Sequence, residues 1–133
     1  MTRHLLLAAT FAVFCCAASV LAHHSAAAAY DTGNKITLKG LVTKVEWKNP
    51  HVFYYLDVAD ADGAGNVANW AVEASTPNQL YRNGWRKDDL KIGDAVTVVN
   101  SSPARNGSRK AYGGTLTLAD GRKVFSGSAA SDQ

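Results

Sequence analysis

Three histidines are the residues of this chain best suited to bind a metal ion. His23 and His24 are adjacent, and the third is His51. If the chain is cleaved after Ala22, the free amine and the imidazole of His23 can chelate one metal ion. An α-amine loses its proton near neutral pH, so its use as a ligand costs little. His24 or His51 would add a third nitrogen, and such ligands favour copper, with zinc and nickel behind it. The alternative is that His23 and His24 are exposed on a free end and that His51 is structural.

The predicted cleavage depends on the first 22 residues. Arg3 precedes a segment, 5–22, that has no charged side chain and ends in Val20-Leu21-Ala22. This pattern is typical of a secretory signal peptide over residues 1–22, although an uncleaved membrane anchor is the alternative reading. Both cysteines lie inside this segment. The mature chain is therefore predicted to have no stable membrane span, no disulfide and no thiolate ligand.

Charge and motif content argue against several other functions. Residues 23–133 carry 13 Lys and Arg against 11 Asp and Glu, a net charge of +2 that gives no electrostatic case for binding nucleic acid. There is no Gly-x-Ser-x-Gly elbow for a nucleophilic serine. Carboxylates on predicted strands can pair as acid and base, but surface carboxylates on strands are common; they are Glu46, Asp57, Asp60 and Glu73. Whether the protein is an enzyme stays open, and the sequence leans against it.

Alternating apolar residues predict an all-β fold with one short helix. Turn signals separate the strands, and Thr76-Pro77 is typical of a helix start that Gly84 would end. Gly40 is expected to mark a bulge, since the alternation changes face near it. The order of three strands, a helix and further strands predicts an OB-fold-like antiparallel barrel of five or six strands. The predicted strands cover residues 35–47, 51–59, 67–74, 95–100, 114–119 and 122–126 of a single domain, 23–133, with an N-terminal lead-in at 23–34.

Aromatic side chains offer a second kind of site. OB-like barrels bind ligands by stacking them on aromatic residues of a sheet face. A barrel of this size also needs large residues to fill its interior. The candidates for a ligand-binding face are Trp47, Phe53, Tyr55 and Trp85.

Several short motifs along the mature chain resemble a family of small secreted bacterial proteins known as domain of unknown function 6152. The motifs are His23-His24-Ser25, Tyr30-Asp31, Thr37-Leu38-Lys39-Gly40, Val45-Glu46-Trp47, Asn49-Pro50-His51, Asn69-Trp70-Ala71-Val72-Glu73, Gly84-Trp85 and Leu90-Lys91-Ile92-Gly93-Asp94. The resemblance implies a periplasmic or secreted protein and places the paired histidines and Asn-Pro-His within the family pattern. It implies no particular reaction.

Together these observations predict an exported binding module. Its expected ligand is copper or another transition metal held by His23, His24 and His51, in storage, delivery or sensing. The alternative is a barrel without metal that binds a small ligand or a periplasmic protein partner through its aromatic face.

Overall fold

The computed structural model describes residues 26–59 and 65–125 of the 133-residue chain. In this part, seven strands and one helix follow the helical turn at residues 26–29. No helix among the described residues has both the length and the apolar character needed to cross a membrane. The elements are β1 (Ile36–Glu46), β2 (Phe53–Ala59), β3 (Val67–Glu73), α1 (Pro77–Arg82), β4 (Ala95–Pro103), β5 (Lys110–Tyr112), β6 (Thr115–Leu118) and β7 (Lys123–Val124).

Five of the strands close into a barrel. The hydrogen-bonded order is β1-β2-β3-β5-β4, and β4 pairs with β1 to complete the ring. All of these pairings are antiparallel except that of β3 with β5, which is parallel. The hairpin of β6 and β7 pairs with residues 96–99 of β4, ahead of residues 102 and 103, which pair with β5. The predicted fold class, an OB-like β-barrel with a short helix between its third and fourth strands, is confirmed.

Alternation along the strands sets which side chains fill the barrel. On β2, Tyr54 and Leu56 are buried, whereas Phe53, Tyr55 and Asp57 face outward and are only partly buried. Burying each large apolar side chain contributes about 1.5–3 kcal/mol relative to leaving it exposed, so this interior is the main source of stability. The fully buried apolar side chains of the barrel interior include Val42, Val52, Leu56, Val72, Leu80, Val98, Leu116 and Val124.

The register of β1 is irregular at one place against β4, between Ile36 and Leu38, and at one place against β2, three residues beyond the predicted bulge at Gly40. The register against β2 shifts between Val42 and Lys44, so Thr43 is the extra residue rather than Gly40. Leu38 and Val42 face the core before the shift, and Val45 packs against the core after it. Gly40 serves a different purpose, because a Cβ at this position would lie 2.3 Å from the carbonyl oxygen of Asp57. A side chain is excluded here by the close approach of β2.

The helix begins as its sequence predicts. The Thr76 hydroxyl accepts a hydrogen bond from the Gln79 amide at 3.1 Å, and Pro77 occupies the first turn, where its missing N–H is not needed. Leu80 is the buried residue of this short helix and joins the barrel core. Gly84 follows with φ of +90°, a conformation that favours glycine and ends the helix.

The largest difference from the predicted elements lies between residues 101 and 112. Residues 101–110 are expected from their polar composition to be a loop, but β4 continues to Pro103 and β5 covers Lys110–Tyr112. Ser101 is fully buried, and its hydroxyl donates to the Gly113 carbonyl at 2.9 Å. Backbone pairing with β3, together with this side-chain hydrogen bond, offsets the low strand propensity of the segment.

Candidate functional site

His51 lies where the chain enters the barrel, just before β2. The peptide bond between Asn49 and Pro50 is cis, and the next residue after His51 is already paired with the end of β3. The Val52 amide donates to the Ser75 carbonyl at 3.0 Å, and the Ala74 amide donates to the Val52 carbonyl at 2.8 Å. These two hydrogen bonds fix the backbone beside His51 at the rim of the barrel.

The imidazole of His51 contacts Glu73, the last residue of β3. Nδ1 of His51 is in hydrogen-bond contact with Oε1 of Glu73. The side chain of Glu73 is only 16% exposed, whereas that of His51 is 38% exposed. The carboxylate is therefore more deeply buried than the imidazole, which remains partly open to solvent.

Tyr30 forms a hydrogen bond with the second oxygen of the same carboxylate. Its hydroxyl donates to Oε2 of Glu73 at 2.7 Å, and its ring stacks on Tyr112 of β5 with centroids 5.3 Å apart. Tyr30 is buried, with 7% of its surface exposed. Burial and the adjacent Glu73 carboxylate both raise the pKa of the Tyr30 phenol, so it remains a neutral hydrogen-bond donor.

The segment that carries Tyr30 is attached to the barrel by its backbone. The Asp31 amide donates to the Pro103 carbonyl at 2.8 Å, and the Arg105 amide donates to the Ala29 carbonyl at 3.0 Å. The Arg105 guanidinium also donates to the Ala27 carbonyl at 3.0 Å. Residues 27–31 are thus held against the loop that follows β4, and this places the N-terminal end of the described chain on the same side of the barrel as His51.

The arrangement suits His51 for metal ligation. When Nδ1–H donates to a carboxylate, the lone pair of the neutral ring is on Nε2. Metal-binding histidines commonly donate their other ring nitrogen to a carboxylate, which fixes the tautomer and raises the basicity of the ligand. Glu73 stands in this relation to His51. Among residues 26–59 and 65–125, however, no three His, Cys, Asp or Glu side chains form a group that could hold a metal ion.

The other two predicted ligands, His23 and His24, lie outside the described residues, so their ligation stays a prediction. The structure brings together His51, Glu73 and the segment that follows the two histidines in sequence. The described part of the lead-in returns to the barrel near His51, because Tyr30 and His51 share the carboxylate of Glu73.

The four predicted aromatic site residues divide between two locations. Trp47 and Trp85 are partly buried and pack against the core around Phe125, with centroid distances of 5.6 Å and 6.4 Å. Phe53 and Tyr55 lie on the outward face of β2. The four side chains therefore do not form one continuous stacking surface.

A small polar cluster surrounds Tyr55 on that outward face. Its hydroxyl donates to Oε2 of Glu46 at 3.1 Å, and the Lys44 ammonium lies 5.1 Å from the Tyr55 ring centroid. Lys44 and Lys48 form ion pairs with Glu46 at 2.5 Å and 3.3 Å. These hydrogen bonds, with that of Lys44 the strongest influence, lower the pKa of Glu46 to about 2.

The sequence names Glu73 only as one of several strand carboxylates and Tyr30 only within a short motif, and it predicts neither as a neighbour of His51. The signal for Glu73 is the pairing of the second and third strands, which sets Phe53 opposite Glu73. His51 is then a diagonal neighbour of Glu73 on one face of the sheet, within reach of long side chains. No comparable local signal exists for Tyr30, because its contact with Glu73 spans 43 residues.

The barrel topology and the shared carboxylate define an OB-like β-barrel protein with a Tyr–Glu–His contact on its outer surface. Residues 11–113 match the model of a family of unknown function, DUF6152, and the chain belongs to this family. No curated protein and no solved structure matches the chain.

Proposed function

We propose that the protein is an exported metal-binding module that holds copper between its processed N-terminus and the rim of its barrel. The amine and imidazole of His23 are two of the ligands, and His24 and His51 supply further imidazole nitrogens. The observation that carries the proposal is the shared carboxylate of Glu73, which binds Nδ1 of His51 through one oxygen and the hydroxyl of Tyr30 through the other.

Covalent geometry allows the two ends of the site to meet. Residue 26 lies about 6 Å from residue 30 along the axis of the helical turn, since each helical residue rises about 1.5 Å. His24 is two residues further, which adds at most about 7 Å of chain. The histidine side chain extends this reach, and Tyr30 itself is in contact with the carboxylate that binds His51.

Ligand chemistry favours copper among the common divalent ions. Imidazole and amine nitrogens bind Cu²⁺ more tightly than Zn²⁺ or Ni²⁺, following the general order of affinities. The residues 23–133 contain no cysteine that would compete as a soft ligand. A site in which two ligands come from the chain terminus suits uptake, delivery or sensing of an ion in the periplasm or outside the cell.

Calorimetric titration with Cu²⁺ tests the proposal on two preparations, one starting at His23 and one with a single serine ahead of it. The extension keeps every side chain and removes only the His23 α-amine from the chelate. Tight one-to-one binding that weakens strongly in the extended form is the expected result. Equal and weak binding by both preparations would contradict the proposal and favour the alternative of a barrel that binds a small ligand or protein partner.

A further inference from the structure

We infer that Glu73 is a positioning residue that sets the tautomer of His51 and so presents Nε2 as the ligating nitrogen. This inference rests on the proposed function and names a residue on which that function depends. Glu73 is not proposed as a metal ligand. It acts only through His51.

The hydrogen bond between His51 and Glu73 has a defined direction. An ionised carboxylate has no proton to give, so the contact between Nδ1 of His51 and Oε1 of Glu73 requires the ring to be the donor. The proton of the neutral imidazole is then held on Nδ1, and Nε2 has a free lone pair. The His51 side chain is 38% exposed, so part of the ring is open to solvent.

Contacts to both of its oxygens fix the orientation of the Glu73 carboxylate. Tyr30 donates to Oε2 at 2.7 Å, and its ring is held in place by stacking on Tyr112. Tyr30 is 7% exposed, so its hydroxyl has little freedom to turn to water instead. Two donors on two different oxygens hold the plane of the carboxylate, and Oε1 remains directed at His51.

An amide at residue 73 would change which ring nitrogen of His51 carries the proton. In Glu73→Gln, the Tyr30 hydroxyl keeps its acceptor if the amide oxygen occupies the Oε2 position. The amide nitrogen then faces Nδ1 of His51, and since this nitrogen is a donor, Nδ1 must become the acceptor. The ring proton moves to Nε2, where it blocks the nitrogen that ligates metal.

The test is the position of the His51 proton in the metal-free protein. It is measured by the ¹⁵N chemical shifts of the two ring nitrogens at a pH at which the ring is neutral. The wild-type protein is expected to carry the proton on Nδ1 and Glu73→Gln on Nε2. Tyr30→Phe keeps the carboxylate and is expected to retain the Nδ1 proton. A wild-type ring that carries its proton on Nε2 would overturn the inference.

Copper titration of the same proteins provides the second measurement. Loss of such a hydrogen-bond partner typically weakens metal binding 10–100-fold, and Glu73→Gln is expected to do so. Asp57→Asn is the matched control, because it neutralises a carboxylate on the outward face of β2 that hydrogen-bonds Asn69 rather than His51. An equal loss in both variants would contradict a specific role for Glu73. Absence of copper binding by the wild-type protein would overturn the proposed function, whereas the tautomer result judges Glu73 independently.

Discussion

The imidazole of His51 and the carboxylate of Glu73 are in direct contact on the outside of the barrel, although 22 residues separate them in sequence. The contact follows from the β2–β3 hairpin, whose register sets Phe53 opposite Glu73. A third residue, Tyr30, reaches the same carboxylate from the N-terminal segment. The barrel therefore brings the strand hairpin and the start of the described chain to one point.

Tyr30→Phe tests how firmly the N-terminal segment is attached. The change removes one hydrogen bond to a charged acceptor and keeps the ring that stacks on Tyr112. We expect a loss of about 1–2 kcal/mol in the free energy of unfolding, because Oε2 of Glu73 loses its partner in a mostly buried setting. Amide hydrogen exchange of Asp31 and Arg105 should also accelerate. Tyr81→Phe, on an exposed tyrosine of α1, is the control and should change neither quantity.

Gly40→Ala is expected to destabilise the barrel by about 1–3 kcal/mol, the usual cost of forcing an extra atom into a packed site. The added Cβ would lie 2.3 Å from the Asp57 carbonyl oxygen, so β1 and β2 must separate. Gly33→Ala is the matched control, since its nearest neighbour, Oδ1 of Asp31, would lie 3.7 Å from the new Cβ. Urea unfolding of both variants measures the difference. Equal stability of the two variants would contradict the close approach at Gly40.

Leu56→Ala tests the assignment of the barrel interior. Leu56 is 0% exposed, and truncation of such a residue typically costs 2–5 kcal/mol. Leu41→Ala removes the same atoms from a side chain that is 52% exposed, and we expect a change within about 0.5 kcal/mol. A comparable loss of unfolding free energy in both variants, measured in urea, would mean that the inward and outward faces are wrongly assigned.

The pKa of Glu46 provides a prediction about pH. The ion pairs with Lys44 and Lys48 lower this pKa from 4.5 to about 2, so the charged form is favoured by the folded state. The stabilising contribution is present above pH 4.5 and is lost as the pH falls toward 2. NMR titration of the Glu46 side chain should give a midpoint near 2.

Lys44→Met should raise the Glu46 midpoint, because the hydrogen bond from Lys44 is the largest cause of the shift. Lys39→Met, on the same strand, is the control and should leave the midpoint in place. A wild-type midpoint at the ordinary glutamate value would show that these surface ion pairs do not persist in solution.

Local patterns predicted the elements with short-range causes. Alternation identified β2 with its buried Tyr54 and Leu56, and the Thr76-Pro77 pair identified the start of α1. Both patterns involve residues that are only a few positions apart in the sequence. The closed barrel followed from the order of these elements, since three strands, a helix and more strands are typical of an OB-like fold.

The features that were not predicted depend on contacts between distant residues. Pairing with β3 makes Lys110–Tyr112 a strand, although its own sequence favours a loop. The extra residue in β1 is Thr43, whereas Gly40 is in regular register with Val58 and is a glycine because β2 passes too close for a side chain. The contact between Glu73 and His51 depends on the register of the β2–β3 hairpin. The contact between Tyr30 and Glu73 depends on the segment that carries Tyr30 and packs beside β4.

In the proposed site, His51 and the processed N-terminus bind the same metal ion. The most direct measurement is the electron paramagnetic resonance spectrum of the Cu²⁺-loaded mature protein, compared with that of His51→Ala. Nitrogen couplings from the His51 ring are expected in the wild-type protein and should be lost in the variant. Identical spectra of the two proteins would contradict the proposed site, because copper would then be bound by the terminal histidines without the barrel.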